Sequence, residues 1–200
     1  MTFHKTLPSA TTTSQGGKLS WRVQILPFIE QAALFNQFKH DEPWDSEHNK
    51  KLIAQMPSTY KSPASQMDLQ EGKTNYLTVR GEKTLFPDQA KGVGFRDVTD
   101  GLSRTIMVIE ADDERAVIWT KPDDYELDIE KPTAGLGSLH AGGIFNVLLA
   151  DGSVRAVSVD IDPQVVLGLF TRDGGETGGH FNVPDPLLRI VPRRVLQVAH

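Results

Sequence analysis

The first strong hydrophobic pattern of the chain lies between residues 19 and 38. Apolar side chains recur there at spacings of three and four, at Ile25, Phe28, Ala32 and Phe35. This spacing predicts a helix that ends near Phe38 and packs that face on the core. Pro27 lacks an amide hydrogen, so the regular helix either begins at Pro27 or kinks there.

Two further helices are predicted from the residues at their ends. Asp45 is a candidate N-cap for a helix that buries Leu52, Ile53 and Met56 and stops before Pro57. Near the other end of the chain, Asp162 and Pro163 are a typical helix start. The buried face of that last helix is expected to carry Val165, Val166, Leu169 and Phe170.

Between these helices the pattern is typical of β-strands. Runs of β-branched and aromatic residues predict strands at 76–79, 105–110 and 116–119, separated by polar turns. The clearest hairpin joins 144–149 to 154–159 through Asp151-Gly152, because this dipeptide accepts the positive φ angles of a tight turn. We therefore expect an α+β fold, with an antiparallel sheet of about four to six strands and helices packed mainly on one face.

Composition narrows the domain count and the classes of partner. The 200 residues suit one medium domain, and 38% hydrophobic with 24% charged residues is ordinary globular usage. Residues 1–18 are interpreted as a flexible lead-in, 19–176 as the head domain and 177–200 as a C-terminal tail. The net charge of −5, with no basic stripe, argues against nucleic acid, and the absence of cysteine excludes disulfides and thiolate chemistry.

Several segments of the chain resemble one known family. The segments at 19–31, 34–38 and 41–46, which read LSWRVQILPFIEQ, LFNQF and DEPWDS, are similar to the opening of the planctomycete "domain of unknown function 1559" family. Further similarity lies at 72–76, 98–106, Glu110, 119–124 and the stretch from His140 to Val154. Together the similar segments span residues 19 to about 176.

The resemblance implies a fold and a location rather than a chemical activity. Members of the family are prepilin-like or pseudopilin-like, with a hydrophobic N-terminal helix before an α+β head. It therefore implies an extracytoplasmic protein with partners in an envelope or pilus-like assembly, attached to the membrane only through that helix. We expect residues 1–18 to stand where that helix would normally enter the head. The family signature places nine residues between a His and Asp-Gly, whereas ten separate His140 from Asp151 here.

Two groups of residues are candidates for chemistry. Glu110, His140 and Asp151 could bind a metal ion, and calcium could bind the carboxylates that cluster at Glu110, Asp112, Asp113 and Glu114. The simpler interpretation is that His140 and Asp151 serve turns and that the acidic cluster is a solvated turn. No Gly-x-Ser-x-Gly or Gly-x-Gly-x-x-Gly motif is present, so we expect neither an enzyme nor a required cofactor.

The second candidate group is a ligand-binding surface at 119–124. Trp119, with Lys121, Asp123 and Asp124, offers stacking and hydrogen bonding to a sugar or peptide, although Trp119 is more often a packing residue. Three functions follow. The leading hypothesis is a pseudopilin-like assembly or surface-interaction module, the second is carbohydrate or peptide binding, and the third is a metal-dependent hydrolase.

Overall fold

The computed structural model describes residues 7–8, 18–87, 92–174 and 188–189, and it confirms the α+β class. Its strands are β1 (Lys73–Thr74), β2 (Tyr76–Arg80), β3 (Ile106–Glu110), β4 (Val117–Ile118), β5 (Tyr125–Glu126), β6 (Ile144–Leu149), β7 (Val154–Ser158) and β8 (Leu188–Arg189). Six of them form one sheet in the order β5-β2-β3-β6-β7-β8, and β1 pairs with β4 in a separate two-stranded sheet.

The large sheet is antiparallel except at one edge. β5 runs parallel to β2, while every other pair of neighbouring strands is antiparallel. The predicted antiparallel sheet is therefore confirmed, with one parallel pair at that edge. Of the strand predicted at 116–119, only the two residues of β4 form a strand, and β4 pairs with β1 outside the large sheet.

The predicted hairpin of β6 and β7 is confirmed. Val147 pairs with Arg155 and Phe145 with Val157, so alternate side chains of both strands share a face. Gly152 in the turn has φ of +84°, a conformation that residues with a Cβ rarely adopt. The Asp-Gly dipeptide thus supplies the backbone geometry that the tight turn needs.

The last helix, α3 (Pro163–Phe170), covers one face of the sheet. Asp162 caps it by accepting a hydrogen bond from the Gln164 amide, as its sequence predicted. Val166 and Phe170 are buried against the sheet residues that point to this face: Leu77, Val79, Ile106, Ile109, Phe145, Val147, Leu149 and Val157. This cluster is the main core of the domain.

The N-terminal helical region is broken into short pieces rather than one helix. It consists of α1 (Trp21–Gln24), a 3-10 turn at Leu26–Ile29 and α2 (Ala32–Phe35). Pro27 lies in the 3-10 turn, and Glu30 ends that turn at φ of +63°, which interrupts regular helix. The buried face is formed by Val23, Leu26, Leu34 and Phe38.

The predicted buried face of this region was therefore wrong at Phe28 and Ala32, whereas Ile25 and Phe35 pack against the core. Phe28 is 79% exposed and Ala32 is exposed, because a 3-10 turn followed by a separate short helix does not keep the spacing of one continuous helix.

The second predicted helix forms as a 3-10 helix at Asn49–Gln55. Leu52 and Met56 are buried as expected, but the N-cap is His48 and not Asp45. The other 3-10 turns are Ser58–Tyr60, Leu69–Glu71, Phe95–Asp97 and Asp113–Arg115. This region forms a second core, in which Trp119 packs with Phe38 and Tyr60.

The two chain ends are described only in part. The Leu7 amide donates to the carbonyl oxygen of Val93 at 2.8 Å, and β8 pairs with β7 through Arg189 and Ala156. The rest of the predicted lead-in (1–6 and 9–17), and residues 175–187 and 190–200, which hold most of the predicted tail, lie outside the described residues. No helix within the described part of the chain combines the length and apolar character needed to span a bilayer.

Candidate binding face of the sheet

The face of the sheet opposite α3 carries an apolar row that crosses three strands. Val108 of β3 pairs with Leu148 of β6, and Leu148 pairs with Val154 of β7, so the three side chains lie side by side. Val108 and Leu148 are half-buried and Val154 is 47% exposed. We call Val108, Leu148 and Val154 the apolar row.

Strand alternation explains why these residues point away from the core. Ile109 and Val147, the chain neighbours of Val108 and Leu148, are fully buried and belong to the core under α3. Because successive side chains of a strand point to opposite faces, Val108 and Leu148 must face the other way. These strands therefore carry apolar residues both at positions that face α3 and at positions that face away from it. The face opposite α3 is for this reason not a simple solvated surface.

A buried carboxylate lies two residues further along the same face. Glu110 Oε1 accepts a hydrogen bond from Ser62 Oγ at 2.6 Å. Its Oε2 accepts from Asn146 Nδ2 at 2.7 Å and from His140 Nε2 at 2.8 Å. We call Ser62, Tyr76, Glu110, His140 and Asn146 the Glu110 cluster, since Tyr76 is the strand partner of Glu110. The cluster is polar, but its carboxylate is fully hydrogen-bonded within the protein.

His140 is the member of this cluster that reaches solvent. Its side chain is 35% exposed, whereas that of Glu110 is almost fully buried. An ionised carboxylate can only accept, so the proton on the imidazole is assigned to Nε2. The hydrogen bond fixes the orientation of the ring and attaches the loop that holds His140 to the end of β3.

The electrostatic effect of Glu110 reaches Tyr76. Burial raises the pKa of the Tyr76 phenol above its ordinary value, and the negative charge of Glu110 raises it further, while a hydrogen bond with Ser62 opposes both. Tyr76 is therefore a neutral hydrogen-bonding group in this cluster at physiological pH. It is not an activated nucleophile.

Asp151 does not join Glu110 and His140. The Asp151 amide donates to the Leu102 carbonyl, and the Ala150 amide to that of Thr105, which places the β6–β7 turn at the start of β3. Glu110 ends β3 four residues beyond Ile106, or about 13 Å at the rise of a strand. The Asp151 carboxylate instead accepts from Ser153 Oγ at 2.7 Å. The predicted three-residue metal set is therefore not assembled.

The acidic cluster does not converge on one point either. Asp112 accepts from the Ser138 amide at 2.7 Å, and Asp113 accepts from Asn75 Nδ2 at 2.8 Å. Burial acts to raise the pKa of Asp113, but hydrogen bonds, chiefly from Ser65 and Asn75, outweigh burial and hold the pKa below its usual range. In the part of the chain that the structure describes, no three His, Cys, Asp or Glu side chains are placed to share a metal ion. The carboxylates of the predicted calcium cluster thus accept hydrogen bonds from different groups of the protein and do not surround one position.

The predicted ligand surface at 119–124 is likewise not assembled. Trp119 is 0% exposed, and its Nε1 donates to the Ile53 carbonyl at 2.9 Å. Its ring meets that of Phe38 edge-on, with 5.7 Å between centroids. Asp124 is buried, while Lys121 and Asp123 form a surface ion pair at 2.7 Å. Trp119 is a core residue, because its large ring packs among the apolar side chains of the helical region.

Sequence reasoning missed a buried ion pair that joins the helical region to the sheet. Arg22 Nη2 lies 2.6 Å from Asp124 Oδ1, with both side chains fully buried. Arg22 also donates to the Tyr76 carbonyl, from Nη2 at 2.9 Å, and to Ser20 Oγ at 2.8 Å. An Arg between two apolar residues at the start of a helical pattern was the available signal, because such a residue is buried only when it is paired.

Ser62 and Asn146 were missed for a different reason. Each is a small polar residue whose sequence neighbours predict a turn or the polar side of a strand. Only the approach of Ser62 to the end of β3, and the pairing of β6 with β3, show that both side chains donate to Glu110.

The fold and this face define an α+β protein whose sheet is covered by a helix on one side. Residues 2–91 match a family model described as "Protein of unknown function (DUF1559)". The match supports the resemblance to that family over the N-terminal part of the chain, including Arg22, Ser62 and Tyr76. It does not extend to Glu110, His140 or Asp151. No curated protein and no solved structure gives a significant match to the chain.

Proposed function

We propose that this chain is the head of a pilin-like envelope protein and that it acts as a protein-interaction module rather than an enzyme. The observation that carries the proposal is the apolar row of Val108, Leu148 and Val154 on the face opposite α3. Protein interfaces commonly combine such an apolar centre with a polar rim. The Glu110 cluster supplies polar groups beside the row.

The proposed location and kind of partner rest on the resemblance described from the sequence. The model matched at residues 2–91 describes a family of unknown function. Export and membership of an envelope or pilus-like assembly are what the resemblance of segments 19–46 to the prepilin-like family implies. In that setting the occupant of the apolar row is an apolar helix of an envelope protein. A helix carries aliphatic side chains at spacings of three and four, which can pack across a flat row of three strands.

The arrangement of hydrogen bonds argues against hydrolysis at the Glu110 cluster. His140 does contact a carboxylate, as a catalytic histidine would. Ser62, however, is fully buried and donates to Glu110 rather than to His140, so no nucleophile among the described residues is bonded to the imidazole base. The cluster is better suited to fixing the loop that holds His140 than to activating a substrate.

The absence of cysteine makes a direct test possible. A Val154→Cys variant carries one thiol, on the apolar row, and an Asp160→Cys variant carries one on the exposed turn after β7. Each would be labelled with a thiol-reactive photo-crosslinker and irradiated with the envelope fraction of the source cells. Peptide mapping would then identify the attached residues.

We expect the Val154→Cys protein to crosslink to an apolar helix of an envelope protein and the Asp160→Cys protein not to. A Leu148→Glu change in the Val154→Cys background should abolish the crosslink while the circular dichroism spectrum stays the same. Equal labelling from both positions, or recovery of the native protein from the cytosol, would overturn the proposal.

A further inference from the structure

The carboxylate of Asp124 is hydrogen-bonded on one oxygen only. Its Oδ1 accepts from Arg22 Nη2 at 2.6 Å, from the Thr78 amide at 2.8 Å and from Trp21 Nε1 at 3.2 Å. Its Oδ2 is buried and has no hydrogen-bond partner among the described residues. The second oxygen of a buried carboxylate is thus left without a donor.

A second unpartnered atom belongs to a residue bonded to this carboxylate. Thr78 Oγ1 is also buried without a partner in the described part of the chain. The Thr78 amide donates to Asp124 Oδ1 at 2.8 Å, so the residue that carries this hydroxyl is in direct contact with the same carboxylate. Buried polar atoms are nearly always hydrogen-bonded, so two unpartnered atoms on neighbouring residues indicate a bound species between them.

The local charge decides what that species is. Arg22 already neutralises Asp124 and approaches it closely, so a further cation would be repelled by the guanidinium. An anion would be repelled by the carboxylate. A small neutral molecule that both donates and accepts hydrogen bonds satisfies both atoms without adding charge, and buried waters make about three such bonds.

We propose that one water molecule binds between Asp124 and Thr78, donating a hydrogen bond to Asp124 Oδ2 and accepting one from Thr78 Oγ1. The water extends the Arg22–Asp124 ion pair. It joins β2, the segment that holds Asp124 and, through Arg22, the helix α1. The junction between the helical region and the sheet therefore includes solvent as a structural component.

The direct test is an atomic-resolution crystal structure together with hydration measurements by NMR on the full chain. We expect a water oxygen about 2.7–3.0 Å from both Asp124 Oδ2 and Thr78 Oγ1. In solution, the Thr78 amide should show a cross-peak to a long-lived water. Thr78→Val should remove that cross-peak and Thr78→Ser should keep it.

A matched control is Thr105→Val, because Thr105 Oγ1 is bonded to the Gly101 carbonyl at 3.1 Å. That change should leave the Thr78 cross-peak unaltered. The proposal is overturned by a direct bond between Thr78 Oγ1 and Asp124 Oδ2, by a metal cation at the position, or by the absence of density and cross-peak in the unmodified protein. The crystal structure decides the question even where Thr78→Val does not fold.

Discussion

Arg22 Nη2 and Asp124 Oδ1 meet at 2.6 Å with neither side chain exposed to solvent. Arg22 belongs to α1 and Asp124 to the segment before β5, so the pair joins parts of the chain that are 102 residues apart. Removing one member leaves an uncompensated buried charge, which costs far more than the loss of an exposed ion pair.

Replacement of Asp124 should therefore be strongly destabilising. We expect Asp124→Asn to lower the free energy of unfolding by about 3–5 kcal/mol, measured by urea denaturation. The control is Asp123→Asn, which breaks the surface pair with Lys121 and should cost no more than about 1 kcal/mol. Similar losses from the two variants would show that the Arg22–Asp124 pair does not join the helical region to the sheet.

Trp119 should behave as a core residue and not as part of a binding site. Trp119→Ala removes a fully buried ring and its hydrogen bond to Ile53, so we expect a loss of about 3–5 kcal/mol in thermal or urea unfolding. Lys121→Ala, close by on the surface, should change stability by less than about 0.5 kcal/mol. A Trp119 variant with undiminished stability would contradict the packing described above.

The Glu110 cluster should contribute to stability through its charge. Glu110→Gln keeps the shape of the side chain but replaces one acceptor oxygen with a donor that faces the donors of Ser62, Asn146 or His140. We expect a loss of about 2–3 kcal/mol in urea unfolding. His140→Ala, at a partly exposed position, should cost about 1 kcal/mol. If His140→Ala proved the more damaging change, the loop contact would matter more than the buried carboxylate.

The tyrosines give a prediction for alkaline pH. Burial is the main factor that raises the pKa of Tyr60, Tyr76 and Tyr125, which are all the tyrosines of the chain. A raised folded-state pKa means that the folded protein holds the neutral phenol more tightly than the unfolded chain does. Stability from this source is complete below about pH 10, the unfolded value, and is lost as pH rises through the folded values.

Ultraviolet titration of phenolate absorbance, followed alongside circular dichroism, tests this prediction. In the folded protein no tyrosine should ionise at its ordinary pKa, and the absorbance should rise only above that pH or together with unfolding. In concentrated urea all three phenols should titrate at about pH 10. Ionisation of one tyrosine at the ordinary pH in the folded state, seen as a third of the total change, would exclude burial of that side chain.

The elements that the sequence predicted well depend on local chemistry. Asp151-Gly152 determined the β6–β7 hairpin, since few other dipeptides accept the turn geometry. Asp162 and Pro163 determined the start of α3 by capping and by a preset φ. The order of the predicted elements, helices first, then several strands and then one more helix, was sufficient to predict the α+β class.

The errors arose where the position of a residue depends on how whole segments pack, which local spacing does not show. The spacing of Phe28 predicted a buried position, but Phe28 lies in a 3-10 turn in place of a continuous helix and is exposed. Asp151 and Glu110 were grouped as one site, although the turn that holds Asp151 lies beside the start of β3 and Glu110 lies at its end.

The sequence by itself determined the local elements of this protein, because caps, tight turns and strand alternation act over a few residues. Tertiary structure alone decided the sites. Whether Trp119 is buried, whether Glu110 meets His140 and whether Arg22 finds Asp124 each depend on contacts between segments far apart in the chain. The energy of a buried charge or ring is set by every group that surrounds it, and no local pattern contains that information.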